Sequence, residues 1–212
     1  MAGTSGLLRD GDFSNDGENA TVHQDNAASS LEPDKDVGLG YWNSVECNVD
    51  GMLGGVPTVD GFSVVSKIDL QSSRNFLAKL GIGAKPGLRV VDRALEGGAG
   101  IGRVTEGLLL KVSKNVDIIE PVAKFTDTIK GKDGISSIQN IGLEEWRAKQ
   151  GEPYDLIWTQ WCVGHLSDDQ LLQYLKECRS ALKTGTGLAV IKENLSTSDS
   201  DMFDELDSSI TR

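Results

Sequence analysis

From Val90 to Lys192 the chain alternates short apolar runs with stretches of helical period, which restricts the fold to consecutive parallel β-α-β units. Val90-Val91 with Ala94-Leu95 mark a first strand, and Val104 to Lys114 has the spacing of a helix. Val116-Asp117-Ile118-Ile119-Glu120 is a second strand, Phe125 and Ile129 mark a helix, and Ile135 to Ile141 form a third strand. Tyr154 to Trp158 supply a fourth. Ser167 followed by Gln170 makes a capping box for a helix whose Leu171, Leu172, Leu175, Cys178 and Leu182 share one face, closed by Gly185. Leu188 to Lys192 is the fifth strand. Strands this apolar are expected to be buried on both sides, so the fold class is α/β, a mainly parallel sheet with helices on both faces. In such a sheet ligands sit at the carboxyl edge.

Upstream, residues 1 to 40 carry eight acids against two bases, more than half of the net charge of −11, and show no sustained apolar period. They read as a disordered acidic tail (residues 1–40) ahead of a domain over 41–212, and deleting residues 1 to 35 is expected to leave the melting temperature nearly unchanged. From Tyr41-Trp42 the residues Val45, Val49, Met52 and Leu53 allow an amphipathic helix ending at Gly54-Gly55. Ser72 or Ser73 can cap a further helix with Phe76, Leu77 and Leu80 on one face, stopped by Gly81 and Gly83. The acidic balance disfavours nucleic acid as a partner. Cys47, Cys162 and Cys178 are too scattered for a disulfide framework or a zinc site, which points to a reducing compartment. No stretch approaches the ~20 apolar residues of a membrane span, and MAGTSGLLRD lacks the apolar core of a signal peptide. The expected location is the cytoplasm, with the nucleus as a second one.

The run Leu95-Glu96-Gly97-Gly98-Ala99-Gly100-Ile101-Gly102-Arg103 lies between the first strand and the first helix, where glycines let a backbone meet a ligand. From Gly98 the pattern is G-x-G-x-G with Arg103 where a dinucleotide fingerprint wants its last glycine, so a nicotinamide cofactor loses ground. An acid before the turn, and a second acid, Glu120, closing strand two, suit an adenosyl ligand without pyrophosphate. Glu120 can accept from both ribose hydroxyls.

Met52-Leu53-Gly54-Gly55, Glu96 to Arg103, Trp158-Thr159-Gln160-Trp161-Cys162-Val163-Gly164-His165-Leu166, Lys192-Glu193-Asn194 and Asp207-Ser208-Ser209 follow in one order. In this the chain from Tyr41 to Arg212 resembles the protein N-terminal methyltransferase family, which methylates the α-amine of Xaa-Pro-Lys termini with S-adenosyl-L-methionine. The resemblance implies a Rossmann-like class I methyltransferase fold. It gives Gly98, Gly100 and Arg103 to the methionine part of the cofactor, Glu120 to the ribose, Gly142 and Leu143 to the adenine surround, and Gln160 to the cofactor from strand four. On the substrate side it gives Trp161 and Asn194 to the peptide terminus, His165 and Asp207 to the amine's proton and Asp204 to the lysine. Trp42 and Leu53 would wall the groove, and ribosomal proteins are the implied substrates.

The chemistry is sensible on its own terms. A protonated amine has no lone pair with which to attack a sulfonium methyl, so a nearby base must first take its proton. No metal is required. Cys162 near His165 on a loop does not establish a nucleophile and base, which sets aside a cysteine hydrolase. Family members commonly have Asp where Glu96 stands, and the loop from Val56 to Ser66 is longer than in many relatives. Relative to the family, the last helix and antiparallel strand pair are expected to be missing. Two rival readings follow: a methyltransferase for another amine acceptor, or an inactive truncated paralogue acting as a binding protein.

Overall fold

The computed structural model describes residues 32–212. Its parallel sheet consists of β1 (Val91–Gly97), β2 (Ser113–Ile119), β3 (Ile135–Gln139), β4 (Leu156–Gln160) and β5 (Leu188–Lys192), ordered β3-β2-β1-β4-β5. Strands β1 and β4 are neighbours in space, with the chain leaving in opposite lateral directions around them, so a crevice opens beyond their carboxyl ends. The helices are α1 (Lys35–Ser44), α2 (Val49–Met52), α3 (Val65–Lys79), α4 (Leu110–Val112), α5 (Ala123–Thr126) and α6 (Asp168–Ala181).

Side chains alternate across the strands with period two and meet different helices. Ala94, Ile118, Leu156 and Trp158 pack with Leu77 of α3 and with Leu108, Leu109 and Val112. Leu95, Ile119 and Ile157 pack with Tyr174, Cys178 and Ala181 of α6 and with Trp146. Leu95, Leu156 and Ile157 are 0% exposed, and each such burial contributes roughly 1.5–3 kcal/mol. Both faces of the central strands are therefore dry, as their apolar runs require, while the edge strands β3 and β5 are partly exposed.

Several boundaries differ from the sequence expectation. Residues 35–40, read as tail, are the first turns of α1, so the folded region begins before Tyr41; residues 1–31 of the expected tail lie outside the described residues. Asp34 caps α1 by accepting from the Asp36 and Val37 amides at 2.9 and 3.1 Å, and its own amide donates to Ser208 Oγ at 2.7 Å. Removing residues 1 to 35 thus removes a cap and an anchor and is expected to destabilise the fold. Asp34→Ala alone should cost about 1 kcal/mol in urea unfolding, the ordinary value of an N-cap; an unchanged midpoint would show that the cap is idle.

The single helix expected over Tyr41 to Leu53 is two, because Val45 leaves helical geometry (φ −70°, ψ 143°) and Asn48 caps a new start. Helix α3 begins at Val65, well before Ser72, and ends as expected at Gly81: the Ile82 amide reaches the Leu77 carbonyl and the Gly81 amide that of Ala78. Phe76 and Leu80 lie on its exposed side, at 45% and 49% exposure, and only Leu77 of the expected face is buried. The helix after β1 contains a π turn over Thr105–Leu109 before α4, and Ser113 and Lys114 belong to β2. The capping box of α6 forms, but its buried side is Tyr174, Cys178 and Ala181 while Leu172 and Leu175 face outward.

The acid-rich segment after β5 folds into an antiparallel pair, β6 (Met202–Asp204) and β7 (Ser209–Thr211), separate from the main sheet. Arg212 fastens it by donating to the Leu166 carbonyl at 2.6 Å and to Asp168 at 3.0 Å. The apposition is close. A Cβ on Gly164 would stand 2.8 Å from the Ile210 carbonyl oxygen.

Candidate active site

A cavity lies beyond the carboxyl ends of β1, β2 and β4. The glycine turn after β1 forms its floor, with Gly98, Gly100 and Gly102 in the left-handed region at φ 70°, 55° and 81°. Side chains are excluded there. A Cβ on Gly98 would clash with Cys162 Sγ, and one on Gly100 would meet Met52 Sδ at 2.7 Å. Glu120, one residue past β2, accepts from the Gly100 amide at 2.8 Å and from the Val122 amide at 2.9 Å. Each oxygen keeps a lone pair for a ligand. Burial raises the Glu120 carboxyl against those two bonds. Glu96, also lining the cavity, is pushed up to about 8 by complete burial, against the Thr105 hydroxyl and the Arg103 charge. A cation in the cavity would lower it again.

Arg103 and Gln160 close the next wall. Asp69, from α3, accepts from Arg103 Nη1 at 2.7 Å, from Gln160 Nε2 at 3.0 Å and from Lys192 Nζ. Burial favours a neutral Asp69, but the bonds from Lys192, Arg103 and Gln160 outweigh it and hold the carboxyl below its usual range. Trp161 follows at φ 57°, an uncommon conformation for a bulky residue, with the Arg103 guanidinium 5.1 Å from its ring centre.

The opposite wall comes from α1. Trp42 Nε1 donates to His165 Nε2 at 3.0 Å, so that nitrogen is the acceptor and His165 is neutral. Burial depresses His165 below the ordinary imidazole value, opposed by the Asp207 charge and by backbone bonds to Ser208 and Asp207. Asp207 Oδ2 stands 3.9 Å from Nε2, and its buried Oδ1 has no partner among the described residues. Lys35 pairs with Glu144 at 2.7 Å and with Glu145, contacts that raise its pKa to about 12. Lys124 donates to the Asn43 and Val45 carbonyls and fixes the far end of α1.

Of the residues singled out in the sequence, Gly98, Gly100, Arg103, Glu120, Gly142, Leu143, Gln160, Trp161, Trp42 and His165 all line this cavity. Asp207 stands behind His165. Leu53, Asn194 and Asp204 are not in the lining. Asn194 is exposed with its amide on Glu193, and Asp204 is exposed with its carboxylate on the Leu206 amide. Asp34, Lys35, Gly38 and Leu39 were assigned to the tail and instead wall the cavity. Gly38 carried the available signal, since a glycine amid helical spacing often marks a close approach; its Cβ would lie 3.2 Å from the Asp207 carbonyl. Asp69 gave none. Cys162 donates to the Gly97 carbonyl at 3.4 Å, and burial raises its thiol well above the usual value, so it is no nucleophile.

The residues fit an adenosyl ligand with a free amino-acid end: bare glycine backbone, a carboxylate with spare lone pairs, and a cation at Arg103. With this sheet order and crevice, the chain has the fold and site of a class I S-adenosylmethionine-dependent methyltransferase. A family model described as AdoMet dependent proline di-methyltransferase matches residues 32–212. The chain belongs to that family. It is 42% identical over 178 residues to alpha N-terminal protein methyltransferase 1 of Schizosaccharomyces pombe, covering 82% of this chain and 76% of the relative. N-terminal Xaa-Pro-Lys N-methyltransferase 1 of Danio rerio is 39% identical over 177 residues, covering 81% and 75%. The structure of a SAM-dependent methyltransferase from Leishmania major superposes with a TM-score of 0.70 at 35% identity, covering 82% of this chain and 66% of that one. Among the described residues no helix is long and apolar enough to cross a membrane.

Proposed function

We propose that this methyltransferase acts on the α-amine of protein N-termini of the Xaa-Pro-Lys type, ribosomal proteins with such termini included. The observation that carries the reading is the His165 and Asp207 pair, with a buried carboxylate oxygen that has no partner among the described residues, where His165 lines the same cavity as the glycine turn. The names of the yeast and fish relatives support the choice of acceptor. The cofactor, when bound, supplies an electrophilic sulfonium methyl. Gly98, Gly100 and Arg103 hold its amino-acid part, Glu120 its ribose and Gly142 with Leu143 its base. Gln160 adds a contact from β4.

His165 Nε2 exchanges its bond from Trp42 for the amine and takes the proton, which leaves a lone pair on the amine nitrogen while Asp207 beside it keeps its charge. As cationic charge develops there, the Asp207 carboxylate stabilises it. Trp42 keeps the His165 ring fixed, and Trp161 offers an aromatic surface to the terminus. Leu53, Asn194 and Asp204 are assigned to the outer part of the groove, beyond the cavity itself.

Incubation with S-adenosylmethionine and a peptide panel, read by mass spectrometry, tests this. Peptides beginning Xaa-Pro-Lys should gain methyl groups, and the same peptides with acetylated termini should gain none. Preferential methylation of a small amine would assign another acceptor. Cofactor binding without any transfer would make the chain a binding protein.

A further inference from the structure

Arg103, Gln160 and Lys192 come from three different places, the turn after β1 and the last residues of β4 and β5. One buried carboxylate, Asp69 of α3, joins them all. Its side chain is 5% exposed and that of Arg103 is 8% exposed. Both are largely withdrawn from solvent, so the geometry of Arg103 depends on its bond to Asp69.

The arrangement leaves specific valences open. Nη1 is the one Arg103 nitrogen with a protein acceptor among the described residues. The rest of the fork is available to the cavity that Arg103 lines. Gln160 is fixed at both ends: its Oε1 accepts from Trp158 Nε1 at 3.1 Å, while Nε2 donates to Asp69. Asp69, Arg103 and Lys192 together carry one net positive charge, which suits a ligand carboxylate. Lys192 also donates to Ser73 at 3.0 Å, which ties β5 to α3 beside Asp69.

We propose that Asp69 is a positioning residue that presents Arg103 and Gln160 together to the amino-acid end of the cofactor. Without it the guanidinium loses its fixed partner and can settle further onto the Trp161 ring, where its fork no longer addresses a carboxylate. The adenosine end, held by Glu120 and the glycine turn, does not depend on Asp69. Discrimination between ligands with and without the amino-acid end is therefore the quantity Asp69 controls.

The inference rests on the assignment of Arg103 and Gln160 to the cofactor, and calorimetry with two ligands separates the two. S-adenosylhomocysteine carries the amino-acid end, and 5′-methylthioadenosine shares the adenosyl thioether but lacks it. Wild-type protein should prefer the former; equal affinities would overturn the cofactor assignment itself. In Asp69→Asn, S-adenosylhomocysteine should bind about 10-fold more weakly or worse, while 5′-methylthioadenosine stays within about 2-fold. Because Asp69→Asn leaves a buried charge excess, the double variant Asp69→Asn with Lys192→Met, which restores the net charge of the cluster, is measured beside it. The same ligand-selective loss is expected there. Equal losses for both ligands, or retained discrimination with normal wild-type behaviour, would overturn the role of Asp69. Failure of both variants to unfold cooperatively would assign it to folding instead.

Discussion

Gly100→Val is expected to abolish S-adenosylhomocysteine binding, with a loss on the order of 100-fold or more measured by calorimetry. Gly100 has φ 55°, and a β-branched residue there costs at least about 1–2 kcal/mol in backbone energy. Its Cβ would also fall 2.7 Å from Met52 Sδ, at the wall of the cavity. Relief by rotating the peptide would turn away the Gly100 amide, which now donates to Glu120 Oε2 at 2.8 Å, and release the carboxylate assigned to the ribose. Either way, space or orientation is lost. Affinity within a few-fold of wild type would show that the turn serves only the chain's own geometry.

Asp207→Asn should instead leave ligand affinity intact and slow turnover, by a factor on the order of 10². The substitution keeps size and one amide oxygen as an acceptor but removes the charge, and Asp207 does not line the cofactor cavity. A second effect follows through His165. The Asp207 charge now raises the imidazole pKa against the larger effect of burial, so removing that charge lowers it further. Below its pKa the imidazole is protonated and cannot accept. The acid limb of the turnover profile, where it reports His165, should therefore move to lower pH in the variant. Turnover within a few-fold of wild type, with an unmoved acid limb, would assign the proton to another acceptor.

The central strands β1, β2 and β4 were legible because each carries a compact apolar run, and burial on both faces leaves little else such runs can become, whereas the edge strands β3 and β5 are only partly buried. The glycine turn was legible for a related reason: left-handed backbone and close approach demand a residue without Cβ, and that demand is written in one letter. The capping box at Ser167 is equally local. Other features were set by distant partners. Asp69 sits between Ile68 and Leu70 as an ordinary helical acid would, and only the folded sheet brings Arg103, Gln160 and Lys192 to it. Of the stripe read on α6, Leu171, Cys178 and Leu182 pack inward, yet the sheet turns Leu172 and Leu175 outward and selects Tyr174, whose hydroxyl bonds Thr159 at 2.7 Å. Helix α1 contains two glycines at Gly38 and Gly40, a composition of low helical propensity, and forms through tertiary contact.

Helix α1 is anchored largely by residues far from it along the chain. Asp34 meets Ser208 across 174 positions, Trp42 meets His165 across 123 and Lys35 meets Glu145 across 110. Ten residues with two glycines have little helical stability of their own, and contacts of such span are late to form when a chain folds. The sheet can thus be complete while α1 is still undocked. Its inner side is one wall of the cavity, so the contacts that dock α1 last are also the ones that complete the binding site.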